Sequence, residues 1–408
     1  MKEDTLIINK GYDHRLSEGS VVTPIFRSST FCFNTAEEGE RSFQLAYKLD
    51  KPKEGEVPVL IYSRVNNPNM EIVEDRLAVL DKAEKSALFS SGMGAISNTC
   101  LSFLKPGDTI LYSYPVYGGS DFLFHVLLPQ YNINTVSFDS NDSIENILNK
   151  TNKLKNIKMI FVETPCNPLI KLTSIKEMVK LKNKIIKNGH SDILLAVDNT
   201  LCGPLFLKPL ELGADLVLYS ITKFIGGHSD LIAGSVSGSS KLVDNIKVIR
   251  TIFGTIPDPD TCWLIQRSLP TLKLRMEKQS SNAKKVVEFL KSCRKVKKIY
   301  YPGLGEEKNI KIFKDEYSGS GSMISFEIDG SKEDAFKFLN NVKVFKLAVS
   351  LGAIESLIQH PASMTHSDIS REEQLRMGIS ESLLRCSVGL EDSNDLIEDL
   401  KNSFDILV

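Results

Sequence analysis

One lysine stands where a charged side chain is unusual, at the end of an apolar stretch. In "YSITKFIGGHSD" (219–230), Lys223 follows the hydroxyl residues Ser220 and Thr222 and precedes a Gly-Gly pair. The residues before it, "ADLVLYS", predict a buried strand. Most of the 50 Lys and Arg residues must be solvated surface charges. A lysine at a strand end can instead act as a nucleophile if its surroundings lower the pKa of its amine.

Three other side chains would complete one particular chemistry. An amine that forms an imine with a cofactor aldehyde needs a carboxylate at the cofactor's ring nitrogen, an aromatic side chain over the ring, and an arginine for the substrate carboxylate. Asp198 lies in the apolar run "ILLAVDN", Tyr117 in "YPVYGGSD" and Arg385 in "LLRCSVGLED". Each signal is weak alone, but their order and context together favour a site around Lys223 for a cofactor that carries an aldehyde and a ring nitrogen.

The stretch "LFSSGMGAISNTCLSFL" (88–104) could hold the phosphate of such a cofactor. A short apolar run meets Ser-Ser-Gly-Met-Gly and then a helical pattern. A helix N-terminus with small residues offers free backbone N–H groups and the positive end of the helix dipole. The stretch does not match GxGxxG, so a dinucleotide fingerprint is not supported. From this stretch alone, close packing at Gly92 and Gly94 is an equally good interpretation.

Five short apolar runs predict the strands that position these residues, at 109–113, 134–138, 159–164, 193–199 and 216–220. Most are separated by helix-length stretches such as "SIKEMVKLKNKIIKNG" (174–189), which predicts a mainly parallel sheet covered on both faces. Ligands bind beyond the carboxyl ends of such strands. Glu163, Asp198 and Lys223 end or follow three of them, so we expect these residues to converge.

Two other parts of the chain differ from this pattern. After about residue 255, long amphipathic helices and then strand-like pieces such as "MISFEI" predict a second, smaller α/β domain, in keeping with a length of 408 residues. The stretch "KLDKPKEGEVP" (48–58) is charged and carries two prolines, which predicts an exposed loop.

Composition excludes several classes of partner. The formal net charge of −1 gives no sign of a nucleic acid or an acidic membrane surface as partner. The start, "MKEDTLIINKGYDH", has acids where a signal peptide needs apolar residues, and no 18-residue apolar stretch follows. We therefore expect a cytoplasmic protein without membrane spans. Seven cysteines without a CxxC pair favour reduced thiols, and the six scattered histidines predict no metal site.

The chain resembles the pyridoxal-phosphate enzymes of cysteine and methionine metabolism, the cystathionine synthase and lyase family within fold type I. The resemblance runs from "GSVVTPIFRSSTF" (19–31) to "RCSVGLED" (385–392) and rests on "YSRVNNPN", "SSGMGAIS", "VETPCNPL", "AVDNTLCGP", "SITKFIGGHSD" and "AVSLGAIESLIQHPASMTH". It implies an α/β chain with a mainly parallel sheet in the large domain. It also implies an N-terminal arm (1–62) contacting a neighbouring subunit, a cofactor-binding large domain (63–255) and a C-terminal α/β domain (256–408).

The resemblance also implies a role for each matching residue. Lys223 would form the imine with pyridoxal phosphate and then move protons between substrate carbons. Asp198 would pair with the pyridinium nitrogen, and Tyr117 would stack on the ring and act as acid or base at the leaving group. Asn167 would lie by the ring hydroxyl. The residues that would hold the phosphate are Ser91, Gly92, Met93, Ser220 and Thr222.

Two further groups of residues follow from the resemblance. Tyr62 and Arg64 would reach the phosphate of a neighbouring subunit, which implies a homo-oligomer with shared active sites, a tetramer built from dimers. Ser350 and Arg385 would bind the carboxylate of a sulfur amino acid substrate.

The reaction must be predicted from the positions at which this chain differs from particular members of the family. Val349 precedes Ser350, where members that handle cystathionine often carry a glutamate, and valine suits an uncharged tail such as methylthio. Gly119 instead stands where methionine γ-lyases usually carry a cysteine, so "YGGSD" is more similar to the synthases and cystathionine lyases. In its motifs overall the chain is most similar to methionine γ-lyase-like members.

We therefore predict a carbon–sulfur lyase that carries out γ-elimination on methionine or homocysteine, or that cleaves cystathionine. The alternative within the family is γ-replacement on an O-acylhomoserine, as in cystathionine γ-synthase or a sulfhydrylase. Alternatives of other classes are a nucleotide-binding oxidoreductase, disfavoured by the missing GxGxxG, and an inactive binding protein, disfavoured by the full set of site residues.

Overall fold

The computed structural model describes residues 1–47, 49–54, 56, 59–151 and 154–407, whose strands form two sheets. The strands of the larger sheet are β1 (Lys85–Phe89), β2 (Thr109–Tyr114), β3 (Asn134–Asp139), β4 (Ile157–Glu163), β5 (Leu194–Asp198), β6 (Leu216–Ser220) and β7 (Gly234–Gly238). Their order is β1-β7-β6-β5-β4-β2-β3. Strand β7 is antiparallel to both neighbours, and the other pairs are parallel.

The smaller sheet lies in the C-terminal part of the chain. Its strands are β8 (Val296–Tyr300), β9 (Met323–Ile328), β10 (Lys346–Leu347), β11 (Leu357–Gln359) and β12 (Leu383–Ser387). Their order is β10-β11-β12-β9-β8, and the pairs are antiparallel except for β10 with β11.

Helices cover both sheets. They are α1 (Glu3–Asn9), α2 (Ala36–Ala46), α3 (Pro68–Asp81), α4 (Gly92–Phe103), α5 (Gly118–Phe122), α6 (Leu128–Gln130), α7 (Ile144–Thr151), α8 (Ile175–Lys187), α9 (Gly203–Phe206), α10 (Ser240–Phe253), α11 (Pro259–Ser268), α12 (Leu272–Ser292), α13 (Glu307–Glu316), α14 (Lys332–Asn341), α15 (Arg371–Met377) and α16 (Ser393–Asp405). A π-helical turn, Leu123–Leu127, joins α5 to α6. Single 3-10 turns occur at His14–Leu16, Leu269–Thr271 and Pro361–Ser363.

The larger sheet is buried on both faces because its central strands are apolar throughout. Side chains alternate between the two faces of a strand, so Val162 of β4 packs in one core and Phe161 in the other. Residues of α11 and the start of α12, such as Met276, also pack in the core of the larger sheet. From Ala283 onward, α12 packs on the smaller sheet instead. The boundary at residue 255 stays a prediction.

The predicted alternation of strands and helices is confirmed. All five predicted runs form strands of the larger sheet, and the helix predicted at 174–189 spans Ile175–Lys187. The sequence did not predict β7, "GSVSG", because it lacks an apolar run. Its small residues have a steric reason, since a Cβ at Gly234 would lie 2.3 Å from the backbone oxygen of Ser91.

Other predictions concern loops, membranes and metals. Residues 48, 55, 57 and 58 of the loop predicted at 48–58 lie outside the described residues. Its described part folds back on α2, where Arg41 donates hydrogen bonds to Asp50 and Glu56. Across the described ranges, no helix is long and apolar enough to cross a membrane. The same residues contain no group of three or more His, Cys, Asp or Glu that could hold a metal ion.

Candidate active site

Lys223 lies in the loop between β6 and β7, and this loop is held in place at several points. The backbone N–H of Thr222 donates to the oxygen of Ala233, and the Ala233 N–H donates back to the Thr222 hydroxyl at 3.1 Å. Below the loop, the buried guanidinium of Arg275 donates to the backbone oxygens of Phe224 (2.8 Å) and Ile225 (3.1 Å). The backbone that carries the lysine is therefore fixed before any ligand binds.

The amine of Lys223 is less basic than that of a surface lysine. Burial and the nearby positive charge of Arg385 lower its pKa to about 8. Its Nζ donates a hydrogen bond to the Ser350 hydroxyl at 2.8 Å. About a tenth of the amine is thus neutral at pH 7, far more than for a surface lysine, and the neutral amine is the form that acts as a nucleophile or a general base.

The N-terminus of α4 approaches the end of β6 very closely. Ser91 caps this helix by accepting the Gly94 N–H at 2.9 Å. The first N–H groups of a helix have no acceptor within the helix, and here they belong to Gly92 and Met93. A Cβ at Gly92 would lie 2.9 Å from the Cβ of Ser220, so only glycine fits without a shift. Helix N–H groups and hydroxyls together form a cradle suited to a phosphate.

Asp198 ends β5 inside the protein. Its Oδ1 accepts the N–H of Thr200 at 3.0 Å, while burial raises the pKa of its carboxyl. The Thr200 hydroxyl in turn accepts the N–H of Ser220 at 2.8 Å, which ties the end of β5 to the end of β6. A buried carboxylate held in this way is suited to pairing with a protonated ring nitrogen.

Glu163 ends β4 and lies directly opposite Asp198 in the ladder between β4 and β5. Its Oε2 accepts the N–H of Tyr117 at 2.6 Å, and its Oε1 accepts the N–H of Asn167 at 2.8 Å. Burial and the charge of Asp198 raise the pKa of Glu163, whereas the two backbone N–H bonds oppose this shift and favour the ionised carboxylate. Two carboxyl groups therefore lie side by side at the predicted edge of the sheet.

Arg385 comes from β12 of the smaller sheet and is buried. Its Nη1 donates to the Asn167 Oδ1 at 2.8 Å, and its Nη2 donates to the backbone oxygen of Ser350 at 2.7 Å. With its amide oxygen turned to the guanidinium, Gln359 accepts from both Nη atoms at 3.1 Å. These bonds hold the guanidinium plane in place, and a carboxylate that binds it through two hydrogen bonds would replace one or more of these acceptors.

The segment around Ser350 connects the two sheets. Ser350 has a left-handed backbone (φ 84°), and Gly352 two residues later has φ 79°. A Cβ at Gly352 would lie 2.5 Å from the backbone nitrogen of Phe224. Residues 350–352 therefore lie directly against the backbone next to Lys223.

These side chains surround one cavity of about 320 Å³. The predicted residues that line it are Ser91, Gly92, Met93, Tyr117, Asn167, Asp198, Ser220, Thr222, Lys223, Val349, Ser350 and Arg385. Apolar side chains form part of the wall, among them Ile232, Val349 and Leu351. The convergence predicted from the strand ends is therefore present in the structure.

The other three predicted residues lie outside this lining. The side chain of Tyr62 is 42% exposed, and the Arg64 Cζ lies 5.6 Å from the centre of the Tyr62 ring. Arg64 also donates a hydrogen bond to the backbone oxygen of Thr251. Gly119 lies behind the ring of Tyr117, where an added Cβ would be 2.7 Å from the Tyr117 Cε1 and 3.0 Å from the Met93 Sδ. Any larger residue at 119 must displace the tyrosine ring or the methionine.

Some residues of the site did not stand out in the sequence. Thr200 and Thr365 line the cavity, and Arg275 supports the lysine loop from α12. Thr200 had a signal, because it lies two residues after Asp198 at a strand end. Arg275 had none, since one arginine in a long amphipathic helix is normally a surface charge.

The residues fit pyridoxal phosphate. The cradle at Gly92 suits its phosphate, Lys223 offers a partly neutral amine for its aldehyde, and Asp198 offers a buried carboxylate for its ring nitrogen. When bound, this cofactor supplies an electron sink for electrons released at the substrate's α-carbon.

Comparison with known proteins gives consistent matches over almost the whole chain. A family model described as Cys/Met metabolism PLP-dependent enzyme matches residues 4–405. The chain is 39% identical to an L-methionine gamma-lyase of Fusobacterium nucleatum subsp. polymorphum, over 95% of this chain and 94% of that protein. It is 38% identical to a cystathionine gamma-lyase of Bacillus subtilis, over 98% of each. A solved cystathionine gamma synthase of Xanthomonas oryzae pv. oryzae, in complex with aminoacrylate and cysteine, superposes with a TM-score of 0.88 at 32% identity, over 99% of this chain and 98% of that one.

Proposed function

The chain belongs to the family of Cys/Met metabolism PLP-dependent enzymes, as a lyase of the cystathionine/methionine type with the type I fold, and we propose that it cleaves the γ-carbon–sulfur bond of methionine and homocysteine. With methionine and one water, the products are methanethiol, ammonia and 2-oxobutanoate. With homocysteine, hydrogen sulfide replaces methanethiol.

One observation favours an uncharged substrate tail. The carboxylates among the described lining residues are Glu163, whose two oxygens each accept a backbone N–H, and Asp198, which we assign to the cofactor's ring nitrogen. The remaining wall near Ser350 is apolar and includes Val349 and Leu351. A distal ammonium group would find no ionic partner on this wall, and any water that it lost there would cost free energy. The methylthio group of methionine has no such cost.

The residues of the chain divide the work between binding and proton transfer. Arg385 binds the substrate carboxylate through its guanidinium, which Asn167 and the backbone of Ser350 hold in orientation. Lys223 Nζ takes the proton from the α-carbon and moves protons between substrate carbons, and the Ser350 hydroxyl holds the amine near this path. Tyr117 gives a proton to the departing sulfur.

Cystathionine is the second candidate substrate, and Gly119 is the observation that favours it. Methionine γ-lyases usually carry a cysteine at this position, but here the Tyr117 ring and Met93 fill the space that a side chain would need. Cleavage of cystathionine at the γ-carbon would give cysteine, ammonia and 2-oxobutanoate. Cleavage at the β-carbon would give homocysteine, ammonia and pyruvate.

A side-by-side assay tests the proposal. Ammonia, 2-oxobutanoate and pyruvate are measured from methionine, homocysteine and cystathionine with the purified holoenzyme. We expect 2-oxobutanoate from methionine and homocysteine, at a higher kcat/KM than from cystathionine. A clear preference for cystathionine would contradict the proposed substrate. Turnover only of an O-acylhomoserine, and only with an added thiol, would identify the enzyme as a γ-replacement enzyme instead.

Two predicted residues outside the cavity bear on the assembly of the chain. Tyr62 is the last residue of the arm formed by residues 1–62, Arg64 lies two residues later, and neither lines the cavity of its own chain. We propose that they complete the phosphate site of a neighbouring subunit in a homotetramer built from dimers. The exposure of Tyr62 supports this assignment.

A further inference from the structure

We propose that Glu163 is a positioning residue, whose carboxylate joins the backbones of Tyr117 and Asn167 across the cavity. Tyr117 lies in the loop after β2, and Asn167 lies in the loop after β4. The carboxylate bonds to their two N–H groups measure 2.6 and 2.8 Å, and Glu163 is only 2% exposed. This role rests on the proposed lyase function, because it concerns the two loops that carry the reacting tyrosine and the substrate-orienting asparagine.

The chemistry of these two bonds requires a carboxylate. Each N–H donor points at a different oxygen, and an ionised carboxyl group is the side chain that only accepts on both. A glutamine in the same place would turn its NH₂ group toward one of the two donors. Hydrogen bonds to a charged acceptor are also shorter and stronger than neutral ones.

A carboxylate at this position is unfavourable for packing alone. It is buried, and Asp198 lies opposite it on the neighbouring strand, so both burial and repulsion oppose its charge. The neighbours in β4, Phe161 and Val162, fill their places with apolar side chains. A residue needed only to fill space beside Asp198 would be apolar as well.

The effect of Glu163 extends to the substrate clamp. Asn167, held at its N–H by Glu163, accepts the Arg385 guanidinium at its Oδ1. Tyr117, held in the same way, presents its ring to the cavity. Glu163 thereby sets the distance between the residue that gives a proton to sulfur and the residue that binds the carboxylate.

The variant Glu163→Gln tests this role by hydrogen–deuterium exchange of the full-length protein, with and without cofactor. Exchange at the Tyr117 or Asn167 amide should accelerate about tenfold to a hundredfold, the range for losing a bond to a charged acceptor. The kcat for methionine should fall at least about tenfold, while KM changes less than about threefold, because Arg385 keeps its bonds to Ser350 and Gln359.

Asp399→Asn is the matched control. Asp399 is also buried and accepts three backbone N–H groups, those of Lys343, Val344 and Phe345, but it does not line the cavity. This variant should lose thermal stability and keep wild-type kcat and wild-type exchange at residues 117 and 167.

Unchanged exchange at both amides in Glu163→Gln, or a kcat within about twofold of wild type, would overturn the proposal. If this variant does not fold, Glu163→Asp replaces it. The aspartate keeps the charge but is one methylene shorter, so at least one of the two amides must still exchange faster. A wild-type enzyme inactive on all sulfur amino acids would contradict the proposed function, whereas exchange at the two amides would still decide the role of Glu163.

Discussion

Replacing Val349 by glutamate should shift the enzyme from methionine toward cystathionine. Val349 lines the cavity, immediately before the residue whose backbone oxygen holds Arg385. We therefore expect a substrate bound to Arg385 by its carboxylate to extend past this side chain. A glutamate here could pair with the distal ammonium group of cystathionine, which valine cannot do.

The expected change in substrate preference can be calculated from the exposure of Val349. Val349 is 55% exposed, so the new ion pair should contribute like a surface pair, at most about 1 kcal/mol or roughly fivefold in kcat/KM. Methionine should lose about twofold, because the carboxylate is partly desolvated against a methylthio group. The ratio of the two kcat/KM values should therefore change by about tenfold in favour of cystathionine.

The assay measures 2-oxobutanoate from both substrates over a range of concentrations. Val349→Gln is the control, since it has the length of glutamate without its charge. The expected gain with cystathionine should be absent in the glutamine variant and should shrink at high salt. If Val349→Glu leaves the ratio unchanged, or if Val349→Gln changes it equally, charge at residue 349 does not select the substrate.

Four further results are expected. Lys223→Ala should lose the visible absorption band of the bound cofactor and the activity but keep its circular dichroism spectrum, because the lysine lies in a loop; a variant as active as wild type would contradict its role. Asp198→Asn should keep the cofactor but lower kcat at least about tenfold, since an amide cannot keep the ring nitrogen protonated; unchanged steady-state kinetics would remove Asp198 from the site. Chains with Arg64→Ala and chains with Lys223→Ala, each inactive alone, should regain part of the activity in mixed oligomers, and no regain in confirmed mixed oligomers would exclude a shared site. The rate at which the apo-protein takes up its cofactor, measured by stopped-flow absorbance, should increase as the pH rises toward 8. The reason is that the pKa of Lys223 is lowered to about 8 and only its neutral amine attacks an aldehyde. A rate independent of pH in this range would show that another step limits uptake.

Most of the strands that the sequence predicted contain a run of at least three consecutive apolar residues. Strand β6 contains such a run, and both of its ends are where the pattern places them. Strand β7 is equally buried but has one apolar residue, Val236, among glycines and serines. Close approach to the start of α4 excludes a side chain at Gly234, so packing there removes an apolar residue that would have made β7 recognisable.

The residues of the site likewise include some that the sequence could place and others that it could not. Asp198 and Lys223 could be placed together from the sequence, because parallel strands end at one edge of their sheet. Arg385 enters from the smaller sheet, and no periodicity relates residue 385 to residue 223. Its assignment came from the chemistry that the site requires and from the family resemblance. The bonds of Glu163 depend on the paths of two loops, which the pattern of apolar residues does not determine.

The antiparallel strand β7 also limits how the segment carrying the lysine can change in length. Ser220 and Gly234 face each other across β6 and β7, and Gly234 also faces Phe89 across β7 and β1. An inserted residue that moved β7 by one position would turn every side chain of this strand to the opposite face. It would bring Ala233 to the place of Gly234, against the backbone of Ser91, where no Cβ fits. A change in the length of the segment from 221 to 233 is therefore compatible with this sheet only if it leaves the register of β7 unchanged.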